Sequence, residues 1–118
     1  DDAHPATQSL TIIEQVIRGA IGFDGLLLTD DIDMEALEGS VPERSERALA
    51  AGCDITLNCW AKIPDMGGIA ARNPDMSDAA RARLDRVLDA IGPAPDGFET
   101  AELVARRDAF FAAARDAA

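Results

Sequence analysis

Three aspartates follow the first apolar run of the chain at a spacing that suits acid chemistry. The run Leu26–Thr29 leads directly into Asp30 and Asp31, and Asp33 follows two residues later. In α/β folds the carboxyl ends of parallel strands open into a cleft, so a buried strand that ends in carboxylates can present an acid to a ligand. The same acids could instead cap the next helix or lie in solvent. Both interpretations stay open at this point.

Asp33 precedes a short helical stretch that ends at Leu37, and this position suits a helix cap. The Asp-x-Asp spacing of Asp31 and Asp33 also occurs in phosphotransferase loops, where the first acid is the nucleophile and both work around Mg²⁺. That chemistry needs a cation for the phosphoryl group. The one lysine, Lys62, lies in a polar loop with no acidic pair near it in sequence, which disfavours this interpretation.

Two other side chains are candidates for ligand contact. Trp60 follows the second predicted strand, where an aromatic ring can stack on a sugar. Met34 follows Asp33 and is a second candidate substrate-binding residue. His4 stands among acids near the beginning of the chain and is expected to lie in solvent, whereas Arg44 and Arg47 share a helix with glutamates and are expected to form a solvated face.

The apolar spacing predicts the elements that must hold these side chains. The order is helix, strand, helix, strand, helix, helix, which favours βαβ units and a parallel sheet with strands buried on both faces. Two strands do not make a stable covered sheet, so either another polypeptide supplies further strands or the chain is a piece of a larger domain. The predicted spans are a helix of about ten residues capped by Ser9, strand Leu26–Thr29, helix Pro42–Ala51, strand Ile55–Asn58, a helix from Ser77 to the Gly92–Pro93 break, and an amphipathic helix from Thr100 to Arg115.

Composition excludes several classes of function. The 118 residues carry 11 basic and 22 acidic side chains, a net charge of −11, so neither nucleic acid nor an acidic membrane is an expected partner. We expect no signal peptide and no membrane span, and a cytoplasmic location. Cys53 and Cys59 would lie roughly 20 Å apart along a straight strand, too far for a disulfide, so reduced cysteines are expected.

Five short segments match a known family when they are taken together. They are Pro5–Thr7, Val16–Gly19, Ile21–Gly25, Thr29–Met34 and Arg47–Asp54. In combination they closely resemble family 3 glycoside hydrolases of the bacterial β-N-acetylhexosaminidase type. The resemblance covers residues 5–92.

The resemblance implies a (β/α)8 TIM barrel, of which this chain would form the last two β/α units with their helices. Residues 1–92 would then belong to the barrel, and residues 93–118 would form a C-terminal helix. In this family the acid directly after the Ser or Thr that ends the seventh strand is the nucleophile, and by position that acid is Asp30. It is expected to attack the anomeric carbon of a β-linked N-acetylglucosamine and form a glycosyl-enzyme that is hydrolysed with retention.

The rest of the family's site has no counterpart in these residues. The resemblance implies an Asp-His general acid/base dyad and a Lys-His pair with Asp and Arg that hold the sugar, and none of these motifs occurs here. His4 is not the dyad histidine, and Asn58–Trp60 stands where relatives tend to carry His-Cys-Asn. We therefore expect the isolated chain to be inactive and only marginally folded, or associated.

The implied substrate is a small carbohydrate, a muropeptide that contains N-acetylglucosamine or a chitooligosaccharide, as in peptidoglycan recycling. No metal or cofactor is implied. One alternative does not depend on the resemblance. The chain could be a stand-alone acidic α/β module that acts through protein contacts without catalysis.

Overall fold

The computed structural model of the protein describes residues 1–73, 75–92 and 99–116, so the predicted break at Pro93 lies outside the described residues. Its backbone is a mixed α/β arrangement in which helices alternate with two strands. The chain begins with a 3-10 turn (Ala6–Gln8) and a π-helix (Thr11–Ala20). Strand β1 (Leu28–Asp31), helix α1 (Val41–Ala50) and strand β2 (Ile55–Leu57) follow. Three further helices complete the order: α2 (Ile63–Arg72), α3 (Asp78–Ile91) and α4 (Thr100–Asp116).

The predicted βαβ unit is present. Strands β1 and β2 pair in parallel, with Leu28 opposite Ile55 and Asp31 opposite Leu57, and α1 makes the crossover. The helix begins with a capping box, because the amide of Ser40 donates to the Glu43 carboxylate. Ser9 also caps as predicted, since its Oγ accepts from the amide of Ile12 at 3.1 Å.

Strand β1 begins two residues later than the apolar run predicts. Pairing with β2, and not side-chain polarity, sets its end. The hydroxyl of Thr29 accepts from the amide of Leu57 at 2.9 Å, and the amide of Ile32 donates to the carbonyl of Leu57 at 2.8 Å. Asp30 and Asp31 therefore lie inside the strand at its carboxyl end, where the ladder holds their backbone.

Among the described residues one face of the sheet is covered and the other is open, as expected for two strands of a larger sheet. On the covered side Thr29 is buried, and Leu27 packs against a core of Ile13, Ala48, Ala51 and Cys53. Leu28 and Leu57 remain 51% and 43% exposed. Side chains alternate along a strand, so Asp30 shares the open face with Leu28. The apolar residues of the strands suit burial on both faces of a completed sheet, and within the part of the chain that the structure describes one helical layer lies against them.

Helix α2 was not predicted, and Lys62, which was expected in a polar loop, is instead the residue that directly precedes this helix. The helix has Pro64 in its first turn, where a missing amide costs nothing. Gly68 faces α1, and a Cβ built on it would lie 2.5 Å from Cγ of Pro42. Gly68 has a low helix propensity, but its missing side chain allows α1 and α2 to pack closely.

Substitution of Gly68 provides a test of this close approach. We expect Gly68→Ala to lower the free energy of unfolding by about 1–3 kcal/mol, because the new methyl group must push α1 and α2 apart. Gly67→Ala is the matched control, since nothing lies within 4 Å of its Cβ position. There the gain in helix propensity should raise stability by about 0.5–1 kcal/mol. Urea unfolding measures both, and equal effects of the two substitutions would contradict the packing argument.

A buried ionic network closes the end of the sheet opposite the aspartates. Asp54, whose side chain is 4% exposed, accepts 2.8 Å hydrogen bonds from Arg18, from Arg83 and from the amide of Leu27. Arg18 also donates to the carbonyls of Phe23 and Gly25. One carboxylate thus ties the π-helix, the start of β1 and α3 to the start of β2.

Two other predictions change in detail. The helical stretch predicted to end at Leu37 consists of turns, although Leu37 itself is buried. Helix α4 forms as predicted, but all of its described side chains are exposed, including Phe110 and Phe111, whose rings meet edge to face at 5.9 Å. No helix among the described residues is long and apolar enough to cross a membrane.

Candidate functional site

Asp30 stands at the carboxyl end of β1 on the open face of the sheet. The side chain is exposed, and its Oδ1 accepts a 2.8 Å hydrogen bond from the amide of the next residue. Asp30 lines a cavity of about 190 Å³ together with Asp31 and Met34. The predicted candidates Asp30 and Met34 are therefore brought together by the turn after β1. A carboxylate held by a strand at the rim of a cavity can act as a nucleophile or a base.

Asp31 and Asp33 differ from Asp30, because both accept hydrogen bonds from backbone amides of the loop that follows β2. Oδ1 of Asp31 accepts from the amides of Cys59 and Asp33, each at 3.1 Å. Oδ2 of Asp33 accepts from the amide of Trp60 at 3.3 Å. The prediction that Asp33 caps a helix is wrong, since the residues after it form turns and its carboxylate accepts from an amide in the loop after β2. No local sequence signal points to this contact, because its partners lie 27 and 28 residues apart.

These amide bonds lower the pKa of Asp31 from its ordinary value of 3.8, with the amide of Cys59 as the largest cause and that of Asp33 next. The Cys59 thiol shows the reverse effect. Partial desolvation raises its pKa, and the negative charge of Asp31 raises it further, so the thiol stays protonated at neutral pH.

The lowered pKa of Asp31 predicts how this loop responds to acid. A carboxyl group with a depressed pKa in the folded state contributes stability above its unfolded pKa, and that contribution is lost as the pH falls through the folded value. We expect the pH-dependent movement of the Cys59 amide resonance to have its midpoint below pH 3.8. The negative charges of Asp30 and Asp33 also act on the Cys59 thiol, so the resonances of both side chains must be recorded in the same experiment.

Asp31→Asn is the control for this titration. It should remove the acid-induced movement of the Cys59 amide, because the asparagine side chain does not titrate. A movement centred above pH 3.8, or one that persists in Asp31→Asn, would contradict the assignment.

Trp60 extends from the loop after β2, and its side chain is 71% exposed. Nζ of Lys62 lies 5.5 Å from the centre of its ring, a cation–π distance. Trp60 therefore follows the neighbouring strand at the same end of the sheet as Asp30, with an ammonium group on one side of its ring. It is not among the residues that line the cavity at Asp30. The amide Nδ2 of Asn58 is buried and has no acceptor among the described residues.

The geometry does not favour the phosphotransferase interpretation of Asp31 and Asp33. Both carboxylates are occupied by backbone amides, and Lys62 lies over Trp60. Among residues 1–73, 75–92 and 99–116, no group of three or more His, Cys, Asp or Glu side chains is arranged to hold a metal ion.

Arg44 corrects the expectation of a purely solvated helix face. Its guanidinium donates to the carbonyls of Ile32, Met34 and Gly39, at 3.0, 3.1 and 2.9 Å. It thereby holds the turn that places Met34 beside Asp30. Arg47 is exposed but also donates to the carbonyl of Glu38 in this turn. His4 is exposed as expected, and both cysteines are free, with Cys53 buried and Cys59 exposed.

Comparison with known proteins identifies the family. The family described as "Glycosyl hydrolase family 3 N terminal domain" matches residues 1–88. The chain belongs to this family. The resemblance drawn from the sequence motifs is thereby confirmed.

Curated relatives carry the name Beta-hexosaminidase. One from Bordetella avium is 33% identical over 97 residues, which are 80% of this chain and 27% of the relative. One from Nitrosospira multiformis is 36% identical over 93 residues, 77% of this chain and 23% of the relative. One from Tolumonas auensis is 45% identical over 60 residues, 49% of this chain and 18% of the relative. This family 3 chain thus spans about a quarter of the length of the first two.

Proposed function

We propose that this family 3 chain supplies the nucleophile segment of a retaining β-N-acetylhexosaminidase, with Asp30 as the nucleophile. One observation carries the assignment. Of the three aspartates at the end of β1, Asp31 and Asp33 hold amides of the β2 loop, whereas Asp30 accepts only a local bond among the described contacts. It is therefore the carboxylate that remains available to a ligand.

The reaction needs an ionised carboxylate held rigidly on one side of a sugar. A carboxylate oxygen of Asp30 would form a bond to the anomeric carbon as the bond to the leaving oxygen breaks, and the leaving oxygen would take a proton from a general acid. Water, deprotonated by the same group, would then displace Asp30 and restore the β configuration. Met34 lines the cavity at Asp30, and Trp60 offers a ring to the face of the sugar.

The general acid/base and further strands would come from the part of the relatives that this chain does not span. The open face with Leu28 and Leu57, and the buried donor of Asn58, support such a completion as a (β/α)8 barrel. Exposed apolar strand residues and an unpaired buried amide are both costly, and added strands relieve both. On this proposal residues 1–92 belong to the barrel, and the isolated chain is inactive and marginally folded.

The substrate class we propose is a small carbohydrate with a terminal β-linked N-acetylglucosamine, either a muropeptide or a chitooligosaccharide. The relatives' name, Beta-hexosaminidase, supports a hexosaminidase substrate. A role in peptidoglycan recycling in the cytoplasm, without a cofactor, completes the proposal.

A chimera tests the proposal. The matched stretch of the Bordetella avium relative is replaced by the corresponding residues of this chain, and hydrolysis of 4-nitrophenyl N-acetyl-β-glucosaminide is measured. We expect turnover with net retention, and a covalent adduct on the Asp30 peptide after reaction with a slow fluorinated glycoside. The isolated 118-residue chain should show neither.

A second chimera controls for misfolding of the first. It carries only residues 26–34 of this chain in the same relative, so that few residues of this chain must pack against the rest of the relative. A chimera with the circular dichroism and melting behaviour of its parent but no turnover would overturn the proposal. So would an adduct on Asp31, or turnover by the isolated chain, which would favour a complete site within these residues.

A further inference from the structure

The loop that follows β2 is held in place by Asp31, the last residue of β1, and by Asp33 in the turn after β1. We propose that Asp31 and Asp33 are positioning residues, whose carboxylates clamp residues 58–61 beside the strand that carries Asp30 and so fix the ring of Trp60 at the sugar site. This inference rests on the proposed function for the role of the ring. The clamp itself rests only on the contacts of these side chains.

The contacts form a two-point attachment. Asp31 accepts from the amide of Cys59 at 3.1 Å, and Asp33 accepts from the next amide, that of Trp60, at 3.3 Å. Asp31 also accepts from the amide of Asp33 at 3.1 Å, which ties the two acids to each other. The amides of Cys59 and Trp60, which are consecutive in the loop after β2, are thus bound by Asp31 and Asp33. Bonds from amides to a carboxylate are stronger than those between neutral groups.

Packing does little to hold this loop, so the hydrogen bonds must. The side chains of Cys59 and Trp60 are exposed, and β2 contributes only three residues to the ladder. Ala61 has a φ of 48°, in the left-handed region that alanine rarely adopts. The amide of Ala61 donates to Oδ1 of Asn58 at 2.6 Å, which closes the turn but does not attach it to β1. Attachment to β1 comes from the aspartate clamp.

The clamp has a consequence for binding. Trp60 can offer a fixed ring to one face of a sugar only if its backbone is held, because the side chain itself has few neighbours. Loss of the clamp frees the ring but leaves Asp30 on its strand. We therefore expect weaker substrate binding with little change in the chemical step, which appears as a higher KM at nearly constant kcat.

Amide exchange in the chimera that carries the whole matched stretch of this chain measures the clamp without any activity. Asp31→Ala should speed exchange at the Cys59 amide, and Asp33→Ala at the Trp60 amide, each about tenfold for one lost hydrogen bond. Asp31→Asn should restore protection at Cys59, because its amide oxygen still accepts. Glu35→Gln, an exposed acid of the same turn, is the control and should change nothing.

The same substitutions in the chimera test the positioning role. Asp31→Ala and Asp33→Ala should raise KM about tenfold with kcat nearly unchanged, and Trp60→Ala should reproduce this effect without adding to it. Unchanged exchange at both amides would overturn the clamp whether or not the chimera is active. An active chimera whose KM does not respond would overturn the positioning role. Absence of turnover in the unsubstituted, folded chimera would instead overturn the proposed function, and the exchange data alone would then decide the clamp.

Discussion

Replacement of Asp30 by Asn is expected to lower the kcat of the chimera by about 10⁴-fold or more, as removal of a covalent nucleophile does in other enzymes. An asparagine has nearly the same shape but carries no negative charge to attack the anomeric carbon. Because Asp30 is exposed and holds no other element among the described contacts, the substitution should leave the fold intact. Hydrolysis of the aryl glycoside measures the loss, and circular dichroism checks the fold.

Asp31→Asn is the matched control for Asp30→Asn. The two positions are adjacent, the change in charge is identical, and the new side chain still accepts from the amide of Cys59. We expect its kcat to remain within about tenfold of the parent. Similar losses for the two variants would contradict the assignment of Asp30.

Chemical rescue adds a readout that misfolding cannot mimic. In Asp30→Ala a small anion such as azide can enter the space vacated by the carboxylate and attack the anomeric carbon of an activated substrate. We expect azide to restore turnover and to give the α-glycosyl azide, because attack comes from the face that Asp30 occupied. Formation of the β-azide would place the nucleophile elsewhere.

Loss of Asp54 is expected to have the largest effect on stability. Asp54→Ala leaves Arg18 and Arg83 without their shared carboxylate, although their side chains are only 10% and 20% exposed. Breaking a buried pair by removing one partner costs about 3–5 kcal/mol, a large share of the stability of a small domain. We expect the midpoint of urea unfolding of the chimera to move strongly downward in this variant.

Asp24→Ala is the control for this network. Asp24 binds Arg83 and Arg86, but its side chain is 76% exposed, and ion pairs in solvent contribute about 0–1 kcal/mol. A small shift of the urea midpoint in Asp24→Ala and a large one in Asp54→Ala would show that burial, and not the number of ion pairs, makes the network stabilising. Equal shifts would contradict that explanation.

Much of the fold could be predicted because its signals are local. Ser9 and Ser77 cap helices through their own neighbouring amides, and the alternation of strands and helices required a parallel pair. Helix α2 could not be predicted, since its Gly68 is explained only by Pro42 on another helix. The turns before Leu37 were mistaken for a helix because Arg44 holds their carbonyls from α1.

The site divides in the same way. The sequence by itself determined the family motifs and that three acids stand at the end of a strand, because residue types and spacing are local properties. Only the tertiary structure decided which acids are occupied, since the amides of Cys59 and Trp60 that bind Asp31 and Asp33 come from the loop after β2. It also decided that Asp54 is a buried partner of two arginines. A hydrogen bond between residues far apart in the chain leaves no periodic trace, so only the folded backbone reveals it.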